Sequence, residues 1–277
     1  MRWPILLTIA PLLAADRAVD PTFLHRNLAD AKPGPSAFAG CTYRAVFGDG
    51  AAKESIVRGV ARFGELAIPA GAACSEAAFA SEEQAWYVTD GSGVIDSGGR
   101  KQSLRKEGFF YVAPSTPFRL SADAAGLRLI AMGFRIPPGS PPGKPGVVAA
   151  NAGEVKKQLV GNHPPSTLYQ LLMGDTSSTR DRIAATRILT SLFIMEITPG
   201  GTNFPHHHDT EEEIYLLLDG SGAMVAVSGV NGVEGRYPAR PGDAYFYRLN
   251  TTVGFYNTGS SIAHILAVRS RYPFRNP

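Results

Sequence analysis

Charge is sparse in this sequence, and what there is nearly cancels. Lys and Arg number 27 against 24 Asp and Glu, a formal net charge of +3 over 277 residues. No basic block is dense enough to track a phosphate backbone, so nucleic acid is excluded as the expected partner. Long apolar runs are missing too. The most sustained, Trp3 to Leu13, is too short to span a bilayer comfortably, so no membrane span is expected. Cysteine occurs only as Cys41 and Cys74. That permits at most one disulfide, as in an exported protein, or two unpaired small residues in the interior.

What is present is the composition of a globular chain with room for a core: 44% apolar and 18% charged residues. Its length favours two domains over one. Thirty glycines and 21 prolines suit many short strands and turns better than long helices. The opening residues have a secretory signal in outline, with Arg2 as positive start, an apolar stretch, and small residues at Ala14 and Ala15. Residues 1–15 are therefore expected to be removed on export to the periplasm or beyond. Leu13 departs from the usual cleavage pattern, and the alternative is a short buried helix or an uncleaved anchor.

An internal repeat organises the rest. "YVTDGSGVI" (Tyr87 to Ile95) resembles "LLLDGSGAM" (Leu216 to Met224), each placing Asp-Gly-Ser-Gly after an apolar run, which is a hairpin signal. The same offset, without a gap, lays Ile68 on Ile197, Gly71 on Gly200 and Gly91 on Gly220. Two copies of an all-β unit are expected, over residues 38–136 and 183–277. Between them, 137–182 reads as a linker, because "IPPGSPPGKPG" cannot form a helix or inner strand. Within it, Gly153 to Val160 reads as a short helix. Ser166 to Met173 is left open between helix and strand.

The chemistry concentrates in "FPHHHDTEEEIYLLLDG", Phe204 to Gly220. On an extended chain successive side chains alternate faces, so His206 and His208 point one way and His207 the other. A carboxylate from the next strand would complete a metal site. Alternation does not choose among Glu211, Glu212 and Glu213, because the strand that follows is apolar on both faces.

This stretch resembles the first motif of the cupin family, Gly-x5-His-x-His-x3-4-Glu-x6-Gly. Gly200, His206, His208, Glu213 and Gly220 fall on it. The resemblance selects Glu213 and implies an all-β fold of two tandem double-stranded β-helix (jelly-roll) barrels, a bicupin. The family's second motif, Gly-x5-Pro-x-Gly-x2-His-x3-Asn, keeps its ends in Gly242 and Asn257. Inside it Arg248 replaces the proline, Asn250 the glycine, and Val253 the histidine that would be the fourth ligand. Two imidazoles and one carboxylate with open positions suit iron(II), manganese or zinc. His264 is a substitute ligand or a packed residue, and Val253, Tyr245 and Tyr247 are candidate pocket walls. In the first copy Ala77, Phe79 and Gln84 stand at the ligand positions. The second-motif alignment of that copy puts Arg119 at the histidine position, so one divalent ion per chain is expected, in the C-terminal barrel. Membership of the family implies a metal-binding protein with a small-molecule ligand or substrate, and leaves homo-oligomers open. The activities implied are dioxygenase-like chemistry, a metal-dependent aminohydrolase or other hydrolase, or a non-catalytic binding or structural role.

Overall fold

The computed structural model describes residues 22–34, 36–140, 143–227 and 234–271; the signal-like segment lies outside them. The first half carries β1 (Phe23–Asn27), β2 (Thr42–Gly48), β3 (Val60–Ile68), β4 (Glu82–Ser97), β5 (Arg100–Arg105), β6 (Gly108–Val112), β7 (Arg119–Arg135) and β8 (Val147–Asn151). The second carries β9 (Thr167–Asp175), β10 (Ile183–Thr186), β11 (Leu189–Ile197), β12 (Glu211–Asp219), β13 (Gly222–Val227), β14 (Glu234–Ala239), β15 (Asp243–Tyr247), β16 (Val253–Tyr256) and β17 (Ala263–Arg271). Two one-turn 3-10 helices, Leu28–Asp30 and Ala152–Glu154, are the only helical segments among the described residues. None is long and apolar enough to cross a membrane.

The strands close into the two jelly-roll barrels that the repeat foretells. One sheet has the order β2-β3-β7-β4-β6-β8, with β5 on β4; the other runs β1-β15-β12-β17-β11-β9-β10, completed by β14-β13-β16. The apolar residues form three cores. Trp86, Val88, Phe110 and Phe118 fill the first barrel, and Met195, Tyr215, Leu217 and Phe255 fill the second. The third core lies between the barrels, where Ala85, Tyr87 and Phe109 of one meet Ile214, Leu216 and Phe246 of the other. The inner strands are thus covered on both faces and read as unbroken apolar runs. Along β12, Ile214 and Leu216 face the other barrel while Tyr215 and Leu217 face the interior of their own.

Three expectations are corrected. Residues 137–182 are not a linker. They supply β8, which pairs β6 of the first barrel, and β9, which pairs β11 of the second; only the Ala152–Glu154 turn answers to the expected helix. The chain's first strand, β1, does the converse of β8 and pairs β15 of the second barrel. Each copy therefore lends its leading strand to the sheet of the other. Both strands end in an asparagine, Asn27 or Asn151, whose side chain caps the one-turn helix that follows. Nor is the first Asp-Gly-Ser-Gly a hairpin turn. β4 runs straight through it against β7, with bulges on either side of Asp90-Gly91. Gly91 (φ +78) turns a barrel corner so tightly that a Cβ would sit 2.1 Å from the Gly126 carbonyl.

The third correction concerns Arg119. His206 exchanges both backbone hydrogen bonds with Val253, and Ala77 does the same with Phe118. Phe118, buried, is thus the counterpart of Val253, and Arg119 is one residue out, on the exposed side. A slip of one residue reverses every side chain. The cysteines are joined: Cys41, before β2, bonds Cys74, after β3, with α-carbons 5.4 Å apart.

Polar ties between the barrels are reciprocal. Glu83 on β4 accepts from the N–H groups of Arg187, Ile188 and Leu189 (2.8, 2.7 and 2.6 Å). Its repeat counterpart, Glu212 on β12, accepts from Arg58 and Gly59 (3.1 and 2.8 Å). Both carboxyls are buried. Burial raises the pKa of each, and carries Glu212 from 4.5 to about 7 against the lowering effect of its N–H bonds. Glu212→Ala strands the buried N–H of Gly59 and the partly buried one of Arg58 and should cost about 2–6 kcal/mol in denaturant unfolding, at about 1–3 per group. Because the folded pKa is the higher one, the stabilising contribution of Glu212 is fullest below about 4.5 and is lost as pH rises through about 7. Stability should therefore fall more steeply across that window in the native protein than in Glu212→Gln.

Candidate metal centre

The clasp on Glu212 decides which neighbour enters the barrel. With Glu212 turned to the interface, Glu213 points inward and is 2% exposed. His206 and His208 stand on the irregular segment before β12, joined to the sheet by the bridge to Val253. Asn203 holds that segment. Its side chain donates to the Tyr215 hydroxyl (3.0 Å) and accepts from the Phe255 N–H (2.8 Å). Phe204 follows in left-handed backbone (φ 55), an uncommon state for a bulky residue. Its carbonyl lies 2.8 Å from His206 Nδ1. A proton on Nδ1 satisfies that oxygen and leaves Nε2 with a free lone pair, the usual arrangement of a metal-bound histidine.

Ligand atoms of His206, His208 and Glu213 all lie within 4.8 Å of one another. The imidazole rings of the two histidines are edge to face, with centres 4.9 Å apart. His208 Nε2 is 3.3 Å from Glu213 Oε2. Neither that nitrogen nor either Glu213 oxygen has a satisfactory hydrogen-bond partner, although all are buried. Unpaired buried polar atoms are costly unless something else satisfies them. Two imidazoles and a carboxylate converging in this way fit a divalent cation. Burial also lowers the pKa of His206, which favours the neutral, ligating form. His207 points away, is largely exposed, and lies 3.3 Å from Asp209.

A cleft of about 130 Å³ opens onto the three residues. Its walls include His163, Tyr169, Arg180, Phe193, Tyr215 and Arg269. Arg269 Nε is buried and unpaired, 3.9 Å from Glu213 Oε1, and Nη1 is 3.5 Å from Glu211. The Tyr169 hydroxyl is likewise buried without a partner, and burial raises its pKa so that it keeps its proton.

Val253, Tyr245 and Tyr247 are not among the residues that line this cleft. Val253 pairs with His206 across the bridge, shares its face and belongs to the barrel core. Tyr247 sits below the site, paired with Glu213 across the strands and 5.7 Å from the Tyr215 ring. Tyr245 shares the interior face of Tyr215 and Tyr247, lies deeper in the barrel than the cleft, and stacks on His25 at 4.3 Å. His264 is remote from the three ligands. It bridges Asp219 (2.7 Å) and Glu196 (3.1 Å) in a larger groove between the barrels. Burial disfavours charge there, but those two carboxylates prevail and raise its pKa.

Among the cleft residues that escaped sequence reasoning are His163, Tyr169, Arg180 and Arg269. The first three lie in or beside the stretch taken for a linker. Arg269 directly opposes Glu213 on the adjacent strand, a pairing that only the fold reveals.

Residues 193–269 match the cupin domain family. No curated protein gives a significant match. Among solved structures, protein Ylba of E. coli is 15% identical with a TM-score of 0.68, covering 95% of this chain and 97% of its own. The oxalate decarboxylase of Lactobacillus farciminis, solved as a formate complex, is 13% identical with a TM-score of 0.67, covering 91% and 87%. A Bacillus subtilis oxalate decarboxylase studied for its Mn(II) centres is 13% identical with a TM-score of 0.65, covering 93% and 79%. At such identities the likeness is one of fold.

If the three converging side chains are the ligands, His206→Ala and His208→Ala should each abolish binding of Mn(II) or Zn(II) in calorimetry. His207→Ala should bind as the native protein does. Equal losses in all three variants would refute this geometry.

Proposed function

We propose that this two-barrel chain, whose residues 193–269 match the cupin domain family, is a metal-dependent enzyme whose reaction takes place in the C-terminal barrel, on a small organic acid. The observation that carries this reading is the set of unpaired buried groups at the base of the cleft: His208 Nε2, both Glu213 oxygens and Arg269 Nε. A divalent ion held by His206, His208 and Glu213 would supply Lewis acidity, and redox chemistry if it is manganese or iron. Arg269 offers an anion a charge-assisted hydrogen bond from the cleft wall. Arg180 adds positive charge at the rim, and the Tyr169 hydroxyl holds a proton to donate inward. The cleft volume suits a substrate of a few heavy atoms. Oxalate decarboxylases among the fold relatives, one with formate and one with manganese, support a small carboxylate and favour manganese over zinc.

The joined cysteines and the signal-like residues 1–15 support a site of action outside the reducing cytoplasm. N-terminal sequencing of protein from its native cell should begin after about residue 15.

Metal analysis of protein purified without chelator should return one manganese or iron per chain. Incubation with small mono- and dicarboxylates should then consume dioxygen or release carbon dioxide. Arg269→Leu should lose most of that turnover while retaining the metal. Bound zinc with hydrolysis of an amide or amine substrate would replace this reading by a hydrolytic one. Metal without turnover on any substrate would leave a binding protein.

A further inference from the structure

His163 belongs to neither motif and sits in the segment before β9, next to His206, whose cross-strand partner Val253 holds the position of the family's missing fourth ligand. Its ring centre is 5.2 Å from that of His206, edge to face, much as His206 stands 4.9 Å from His208. Two imidazoles bound through Nε2 at about 2.1 Å to one ion, at angles of roughly 90–110°, have ring centres about 4.6–5.3 Å apart. Both separations fall in that range.

The second imidazole nitrogen is committed in the same way in both residues. His163 Nδ1 lies 2.5 Å from the Asn203 carbonyl, and His206 Nδ1 lies 2.8 Å from the next carbonyl, that of Phe204. The two rings thus hang from consecutive peptide groups, each with Nε2 free. The ring of His163 rests against Tyr169 at 5.2 Å. Its backbone is limited by Pro164 and Pro165 on one side and by its N–H bond to the Val160 carbonyl on the other. All three histidines line the same cleft.

We infer that His163 is the fourth protein ligand, supplied from the segment between the barrels in place of the side chain that Val253 does not provide. This rests on the metal site proposed above. His163 is outside the tightest group of ligand atoms, so it turns onto an ion that His206, His208 and Glu213 already hold. The site then has three imidazoles and one carboxylate, with the fourth arm on a different element from the one the second motif would use. Binding the ion also ties the segment to the barrel.

The test uses the full chain loaded with Cu(II), with affinity measured by competition and bound imidazoles counted from nitrogen couplings in pulsed electron paramagnetic resonance. The native protein should show three imidazoles. His163→Ala should show two and bind about 10- to 100-fold more weakly, the range seen even for outer partners of metal ligands. In His163→Ala/Val253→His, a third imidazole should return, because position 253 shares a face with His206. Unchanged affinity and imidazole count in His163→Ala, with binding still abolished in His206→Ala, would overturn the role of His163 and leave the site standing. Loss in the single variant with no recovery in a folded double variant would make His163 a structural prop and also overturn it. Binding that survives in His206→Ala would instead overturn the metal site itself.

Discussion

Two buried carboxylates set the register on which the molecule depends. Glu83 and Glu212 occupy equivalent places in the two copies, and each binds backbone N–H groups of the opposite barrel. Acceptors directed at several fixed N–H groups hold one strand position far more tightly than apolar contact does, because an unmade bond there leaves buried donors unpaired. With Glu212 committed outward, its neighbour Glu213 faces inward, and so do Tyr215 and Leu217. A shift of one residue would bury the wrong carboxylate and take Glu213 out of the candidate metal centre. Interface and site are thus two faces of a single strand.

The barrels meet the same interior problem differently. At the first barrel's counterpart of the centre, Arg62 forms a paired contact with Glu82 (2.9 and 3.0 Å), Gln84 donates to Glu82, and the guanidinium lies 4.2 Å from the Phe79 ring. Gly133 makes the space; a Cβ there would come within 2.4 Å of Glu82 and 2.7 Å of Arg62. The opposing residue in the second barrel is Arg269, facing two carboxylates, Glu211 and Glu213. One guanidinium balances one carboxylate in the first barrel and is outnumbered in the second. The first barrel neutralises itself, and in the second an ion would add its charge to those of Arg269 and Arg180 beside the two carboxylates.

Much of this was legible in the sequence. The gapless repeat gave two equivalent all-β units, and alternation grouped His206 with His208. Family spacing, not alternation, chose Glu213, because β12 is covered on both sides and its apolar pattern has no outward face to read. Readings failed where local signals had two tertiary outcomes. A Gly-rich corner inside a continuous strand looks like a hairpin, as at Asp90-Gly91. A short strand paired only with distant sequence looks like a linker, as at Val147–Asn151, and His163 went unnoticed with it. The second-motif alignment was misplaced by one residue at Arg119, since nothing local distinguishes it from Phe118 until the pairing with Ala77 is known.

The crossed leading strands have a consequence for synthesis on the ribosome. β1 is made first, yet its partner β15 lies more than two hundred residues later, as Phe23 opposite Tyr247 shows. The first barrel emerges with the β6 edge open until β8 follows, and in the finished fold β1 belongs to the other sheet. An unpaired edge is a template for wrong pairing, and contacts this distant in sequence form slowly. The nascent chain therefore carries an unsatisfied strand through nearly its whole translation and can lock shut only when the last barrel is complete.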